Sequence, residues 1–442
     1  MSLTPLWPAI ILAATALVAM LAEMFNLGRT PVAVLSTAGL AAAAVAVVEE
    51  AARHALAYGM APVAVFLIAL GELLVLLVPD RRSAAMANTL IAFLVLGGYV
   101  LLTTNNWLVF WVGLETLNIA LYGLLGRVST DAATDEALLK FFLLSGLFSA
   151  FAVAGIGFLD AATGTLHMVP AHGLWAGVGQ LLILSVILFK LGSVPFHTWA
   201  PDTYQGASWP VTLTFAVFPK VALGGLLIRL VHHGLLAAMG QEGLLLTILA
   251  IATWAVGTLG AWRQTLSLKR MIAYSAIAQM GYIIAPLAIG NLEASLTYLL
   301  TYAVLTATAL AALLLLPPGV EDVSRTELAR EYPLSAWTRV SLVVALAGLA
   351  GFPLTIGFVG KLYVVEALLA RDPVLAVAAL LATGFSFLYY FRWLAPLVLR
   401  KTRPTPAPRP SALSVGVTVV LGWAVALLGV WPYPLLWLTH TP

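Results

Sequence analysis

Apolar residues in this chain fall in long blocks, separated by short stretches of charge, proline, glycine and paired polar residues. A helix rises 1.5 Å per residue, so about 20 apolar residues cross a hydrocarbon layer of ~30 Å. Reading between the interruptions gives segments 6–26, 31–48, 61–79, 85–104, 106–126, 136–159, 173–194, 208–230, 243–262, 271–290, 293–316, 336–370, 373–399 and 411–432. The pattern predicts an all-α, polytopic membrane protein of about 14 transmembrane helices. The predicted organisation is one membrane domain over 1–442, with helices 1–3 in 1–84, helices 4–8 in 85–232, helices 9–13 in 243–399 and a last helix in 411–432.

Composition narrows the chemistry. Of 442 residues, 62% are hydrophobic and 9% charged, where a soluble domain is about 25% charged. So much apolar surface needs the bilayer as its solvent. There is no cysteine, which excludes thiolate-held iron–sulfur clusters, disulfides and cysteine chemistry in this chain. A net charge of +3 is too small to predict nucleic acid as a partner. The first apolar block is long enough to span, so no cleavable leader is predicted. His54, His167, His172, His232, His233 and His440 lie in loops or at span ends without metal-ligand spacing, and no metal site is predicted. A phosphate-binding loop, a nucleophile elbow and a haem signature are also missing, so no redox centre is expected here.

Charge placement says more than the sum. Loops after odd-numbered spans hold fourteen of the 22 Lys and Arg, among them Arg81, Arg82, Arg127, Lys269, Arg270, Arg400 and Lys401. Loops after even-numbered spans hold Arg53, Arg229 and Arg371. Positive loops face the cytoplasm, which predicts both termini on the periplasmic side of a bacterial inner membrane. The remaining five cations, Lys140, Lys190, Lys220, Lys361 and Arg392, fall inside spans. So do Glu23, Glu72, Glu115 and Glu366, with Glu136 at an edge.

A charge at the bilayer centre costs at least ~2.5–3.5 kcal/mol. Snorkelling to the headgroups relieves Arg392, Glu366 and Glu23, which lie near span ends. Glu72 is deeper, and a hydrogen-bonded buried carboxyl and a pathway role both stay open for it. Glu115 lies roughly 14 Å and Lys220 roughly 18 Å into their spans, too deep for snorkelling. One ion pair cannot neutralise several separate lysines. A desolvated lysine held against a carboxylate changes protonation when its partner moves, which is what a proton relay requires.

Lys361 adds geometry. A straight helix from Ala336 to Lys361 would run about 37 Å, and Gly351-Phe352-Pro353-Leu354-Thr355-Ile356-Gly357 lies in its path. Proline removes a backbone donor and glycine eases unwinding, so this span is predicted to be broken beside Lys361. Lys190 has the same setting, ahead of Gly192 and Pro195. These are spans seven and twelve, five apart and therefore opposite in direction. Two interrupted, lysine-bearing helices at that offset predict two inverted five-helix repeats with ion sites at the breaks. His197, just past the first break, is a candidate relay because imidazole titrates in the useful range.

The residues then resemble a known group. Val194-Pro195-Phe196-His197-Thr198-Trp199-Ala200-Pro201-Asp202-Thr203-Tyr204-Gln205-Gly206-Ala207 is similar to the signature of N-type antiporter-like subunits of complex I, the respiratory NADH:quinone oxidoreductase, whose relatives include Mrp antiporters. Gly113-Leu114-Glu115, Glu136 through Phe142, Pro219-Lys220-Val221-Ala222, Lys269 through Ser275, and Leu349 through Lys361 match in order. The resemblance implies a proton-translocating membrane-arm subunit. It implies Glu115 and Lys190 as a coupling pair, Lys220 as the central relay, Lys361 as the terminal lysine and Lys140 on the cytoplasmic intake side. It also implies that NADH, FMN, iron–sulfur clusters and quinone sit in other subunits, and that the partners are M-type antiporter-like and small K-, J- and A-type subunits. Gln279 stands where the family usually has histidine, Trp209 replaces a small residue, and Glu72 has no family counterpart. An Mrp-type Na⁺/H⁺ antiporter, a membrane-bound hydrogenase subunit and a free-standing solute transporter are the alternatives.

Overall fold

The structure is a computed structural model that describes residues 7–25, 27–52, 60–77, 84–126, 132–237, 242–317, 319–330, 334–399 and 411–439. Arg53, His54, Arg81, Arg82, Arg127, Arg400, Lys401 and His440 lie outside the described residues. The first part of the chain forms α1 (Trp7–Met24), α2 (Arg29–Ala52), α3 (Met60–Leu77), α4 (Ala84–Thr103), α5 (Trp107–Gly126) and α6 (Ala132–Thr163). Then come α7 (Leu174–Leu191), a short α8 (Trp199–Gly206), α9 (Trp209–His232), α10 (Glu242–Arg263), α11 (Leu268–Ala288) and α12 (Leu292–Leu313). A short α13 (Arg325–Arg330) leads into α14 (Ala336–Ala350), α15 (Ile356–Leu369), α16 (Pro373–Leu399), α17 (Ala412–Val430) and α18 (Tyr433–Thr439).

Among the described residues, 13 helices are long and apolar enough to cross a membrane. The predicted span 336–370 is divided between α14 and α15, as its glycines and proline require. Gly351 caps α14 in the left-handed region at φ 95°, where a side chain would be strained. The other predicted break is also present. Helix α7 stops at Leu191, Gly192 adopts φ 70°, and α8 begins only at Trp199. Elsewhere helices start where a polar side chain can cap them. Ser267 accepts from the Arg270 amide, Asn291 from Ala294, Ser335 from Thr338 and Ser411 from Ser414, at 2.9–3.1 Å.

The chain packs as two compact units: Met1–Lys190 with Phe218–Gly240, and Leu191–Val217 with Gln241–His440. Residues 191–217, which the sequence reading groups with the first repeat, therefore pack with the second unit. Side chains tie that segment down there. The Val194 amide donates to Thr253 Oγ1 at 3.2 Å, Arg270 donates to Asp202 at 3.0 Å, and the Lys269 ammonium donates to the Ala207 carbonyl. In the first unit, Gly97 lets the backbones of α4 and α5 touch. A Cβ there would lie 2.7 Å from the Leu117 nitrogen and 2.9 Å from the Gly113 carbonyl.

In the second unit the equivalent contact holds the break closed. A Cβ on Gly357 would lie 1.8 Å from the Gly348 carbonyl oxygen, so α15 can lean on α14 only through glycine. Gly357→Val is expected to cost about 1–3 kcal/mol through overpacking. Gly384→Ala, where a Cβ meets nothing within 4 Å, should not destabilise, since alanine favours a helix interior. Thermal unfolding of the detergent-solubilised protein checks both, and equal midpoints would refute the close-contact argument.

Candidate functional site

Each unit holds its own buried lysine cluster. In the first, Glu115 lies midway along α5 and Asn118 follows it by three residues, on the same face of the helix. Lys190 occupies the last turn of α7 and is 1% exposed. Its ammonium donates to Asn118 Oδ1 and, at 3.0 Å, to Ser145 Oγ on α6. Asn118 Nδ2 in turn donates to Glu115 Oε1 at 3.1 Å. The expected coupling pair is thus joined through an amide rather than by direct contact. The amide's orientation is fixed by its neighbours, with nitrogen toward the carboxylate and oxygen toward the ammonium. The Phe141 and Phe189 rings lie 4.6 Å and 5.3 Å from Lys190 Nζ and add cation–π attraction in a dry setting.

Asn118 and Ser145 belong to this cluster, and sequence reasoning missed both. The i,i+3 spacing of Asn118 from Glu115 could have singled it out, because a buried amide in a span needs a partner.

Lys220 is wholly buried on α9, directly after Pro219. A proline inside a helix frees the carbonyl four residues earlier. The Phe215 carbonyl accepts from the Tyr204 hydroxyl at 3.3 Å, and Ala216 accepts from Tyr302 at 2.7 Å. Hydroxyls thus supply donors to the carbonyls around the proline.

Lys140 is not brought to this cluster. It lies on the outward face of α6 with Leu139, Phe142 and Leu143, 46% exposed, and pairs with Glu136 at 2.6 Å. Glu72, on α3, is half-buried.

In the second unit Lys361 lies one turn into α15 and is 3% exposed. Its ammonium donates to the Leu349 carbonyl at 2.9 Å, the Ala350 carbonyl at 3.0 Å and Ser386 Oγ at 3.1 Å. Those two carbonyls end α14, where the break leaves them without helical partners. They also carry the negative end of the helix dipole, which favours a cation. Gln279 Nε2 donates to the same Leu349 oxygen at 3.1 Å, and the Tyr298 hydroxyl donates to Gln279 Oε1. The Tyr282 ring lies 5.0 Å from Lys361 Nζ. Gln279 therefore reaches the lysine site through a shared carbonyl. His197, in the turn after α7, has its Nδ1 buried without a hydrogen-bond partner.

Trp209, the bulky departure, has a clear place. Its Nε1 donates to the Val320 carbonyl at 2.8 Å, and its ring covers the fully buried Lys269 ammonium at 4.7 Å. Arg392 donates to the Trp262 carbonyl at 3.1 Å and stacks on that ring at the surface. Among the described residues no group of three His, Asp or Glu is arranged to hold a metal ion.

A family described as NADH:quinone oxidoreductase/Mrp antiporter, TM, matches residues 104–386. The chain belongs to this family. Both lysine clusters fall inside the matched stretch, and Glu72 falls outside it. Among similar proteins is NADH-quinone oxidoreductase subunit N of Herminiimonas arsenicoxydans, 34% identical over 370 residues, covering 78% of this chain and 74% of that one. Its counterpart from Mycobacterium bovis is 34% identical over 379 residues, covering 81% and 71%. A chain of respiratory complex I from Thermus thermophilus, solved with bound aureothin, superposes with a TM-score of 0.85 at 29% identity, covering 97% of this chain and 98% of that one. The Mrp complex from a Dietzia species shares the fold, at a TM-score of 0.83 and 18% identity, covering 99% and 96%.

The amide bridge makes a testable claim. Asn118→Leu keeps the volume and removes both donor and acceptor, and should cost about 1–3 kcal/mol by stranding buried polar groups. Adding Glu115→Gln should restore part of that loss, because no carboxylate then remains to be satisfied. Unfolding of the two single variants and the double variant in detergent measures the coupling. Strict additivity would show that the amide does not link the pair.

Proposed function

We propose that the chain is the N-type proton-translocating subunit of a respiratory NADH:quinone oxidoreductase. The observation that carries this reading is a buried lysine next to each of the two helix breaks, one lysine from each unit, within a family whose named relatives are subunit N proteins. The unit-one cluster is the coupling site. When Glu115 is neutralised or drawn away, Asn118 loses the partner that orients it, and the ammonium of Lys190 loses its acceptor. Its proton then passes to Lys220 as the central relay and leaves by way of Lys361, with Gln279 orienting the Leu349 carbonyl. His197 is the candidate intermediate next to the first break. Lys140, paired with Glu136 on the outward face of α6, belongs to the intake side rather than to the buried core.

Moving one charge against the membrane potential takes ~2.3 kcal/mol per 100 mV, so the drive is external. It is supplied by quinone reduction in subunits that carry NADH, FMN, iron–sulfur and quinone sites, transmitted through M-type and K-, J- and A-type neighbours. The protein is multi-pass in a bacterial inner membrane. The excess of Lys and Arg in one set of loops supports both termini on the periplasmic side. The two broken helices support an inverted relation between 85–232 and 243–399, with one difference. Lys190 precedes its break, and Lys361 follows its own.

Lys220→Ala in the assembled complex, reconstituted in vesicles, is expected to suppress proton pumping. Lys220→Arg should suppress it as well, because a guanidinium keeps its proton. An unchanged ratio of protons to electrons in either variant would sink the relay.

A further inference from the structure

Outside the lysine clusters, the first unit holds polar groups that the proposed mechanism does not use. Glu72 Oε1 is buried without a hydrogen-bond partner, and so are Ser36 Oγ on α2 and both side-chain polar atoms of Asn88 on α4. Ser36 and Asn88 are wholly buried. The Glu72 carboxyl is hydrogen-bonded to Thr37, the residue next to Ser36.

Helix register places these groups along one line. A Cβ on Gly71 would lie 2.4 Å from Val95 and 3.6 Å from Leu40, so α2, α3 and α4 meet there. A Cβ on Gly98 would lie 3.5 Å from Leu67, so α4 runs antiparallel to α3. Leu40 facing Gly71, and Thr37 meeting Glu72, show the same for α2. Ser36 is one turn from Leu40 and Asn88 two turns from Val95, about 6 Å and about 10 Å along the bundle. Both displacements run toward the end where α3 finishes and α4 begins. A seam of hydroxyls and an amide thus leads from that end inward to Glu72.

The charges around the seam are few. On α2 the titratable groups are Arg29 at the first position and Glu49 and Glu50 in the last turn. On α4 the titratable group is Tyr99, which interacts with Glu50. Helix α9, whose Phe218 meets α4 beside Leu67, carries Lys220, Arg229 and His232. Leu67 is five residues short of Glu72, roughly 7 Å along α3. Among the described residues Glu72 forms no ion pair with any of these groups, and its carboxyl is hydrogen-bonded to the Thr37 side chain and the Ala41 backbone.

We propose that Glu72 is a proton-binding site, loaded from the α3–α4 end through Asn88, Ser36 and Thr37. The carboxyl supplies one oxygen to Thr37 and holds the exchangeable proton on the other. Ser36 and Asn88 each leave donor and acceptor capacity unused along the seam, which a proton moving to Glu72 can draw on. The site lies outside the lysine clusters and outside the family match, so it stands or falls independently of the relay.

The test is chemical. A lipid-soluble carbodiimide reacts with protonated carboxyls, and peptide mass spectrometry locates the adduct in the intact, membrane-embedded protein. Labelling at Glu72 should fall steadily from acidic to alkaline pH. Infrared difference spectra over the same range should lose a protonated-carboxyl band in Glu72→Gln. Asn88→Leu should slow labelling about tenfold, the scale of one hydrogen bond that Asn88 would offer to the passing proton. Ser36→Ala, the smaller change, should slow it in the same direction and serves if Asn88→Leu does not fold. No adduct at any pH, or a rate indifferent to both seam variants, would overturn the proposal. Protection of Glu72 by sodium ions would overturn it in favour of a cation site.

Discussion

Hydrocarbon offers no partner to a backbone carbonyl, and the Lys361 site is organised by that constraint. A helix that stops inside the membrane must find donors for its last carbonyls within the protein. At the end of α14 those donors are the Lys361 ammonium, Ser386 and Gln279, gathered on Leu349 and Ala350. The arrangement works in both directions. The carbonyls offset the desolvation of the ammonium, and the ammonium removes the penalty of the break.

The break after α7 is handled differently. Lys190 lies in its last turn, yet the ammonium reaches side chains on α5 and α6. Its acceptors are an amide and a hydroxyl, and the amide is held in turn by Glu115. A backbone acceptor keeps its position whatever the state of a distant group. A side-chain amide oriented by a carboxylate does not. The first cluster is therefore sensitive to a change at Glu115, while the second offers a lysine a fixed set of acceptors. That contrast fits a coupling site in one unit and a release site in the other.

The sequence was informative wherever a residue's chemistry conflicts with the bilayer. Gly351, Pro353, Gly192 and Pro195 mark both breaks, and each buried lysine is visible as a charge too deep to snorkel. Orientation was far less legible. Helix α6 is apolar nearly all round, so no stripe shows that Lys140 faces outward while Ser145, five residues on, faces the cluster. The packing of residues 191–217 with the second unit was hidden for a related reason. It depends on pairings such as Arg270 with Asp202, whose partners are 68 residues apart and carry no local periodicity. Asn118 escaped because one amide in an apolar span looks like a tolerated polar residue until its two neighbours are known.

Both clusters hold a side-chain amide between two hydrogen-bond partners. Asn118 stands between Glu115 and Lys190, and Gln279 stands between Tyr298 and the carbonyl that binds Lys361. An amide offers a donor and an acceptor at fixed positions but does not titrate in the range where lysine and histidine do. It can therefore pass on the polarity of a neighbour without storing a proton. Where a histidine at position 279 could hold charge in transit, glutamine leaves storage to Lys361. At this cluster the glutamine leaves Lys361 as the group that can hold a charge, and its ammonium is matched to the end of a broken helix.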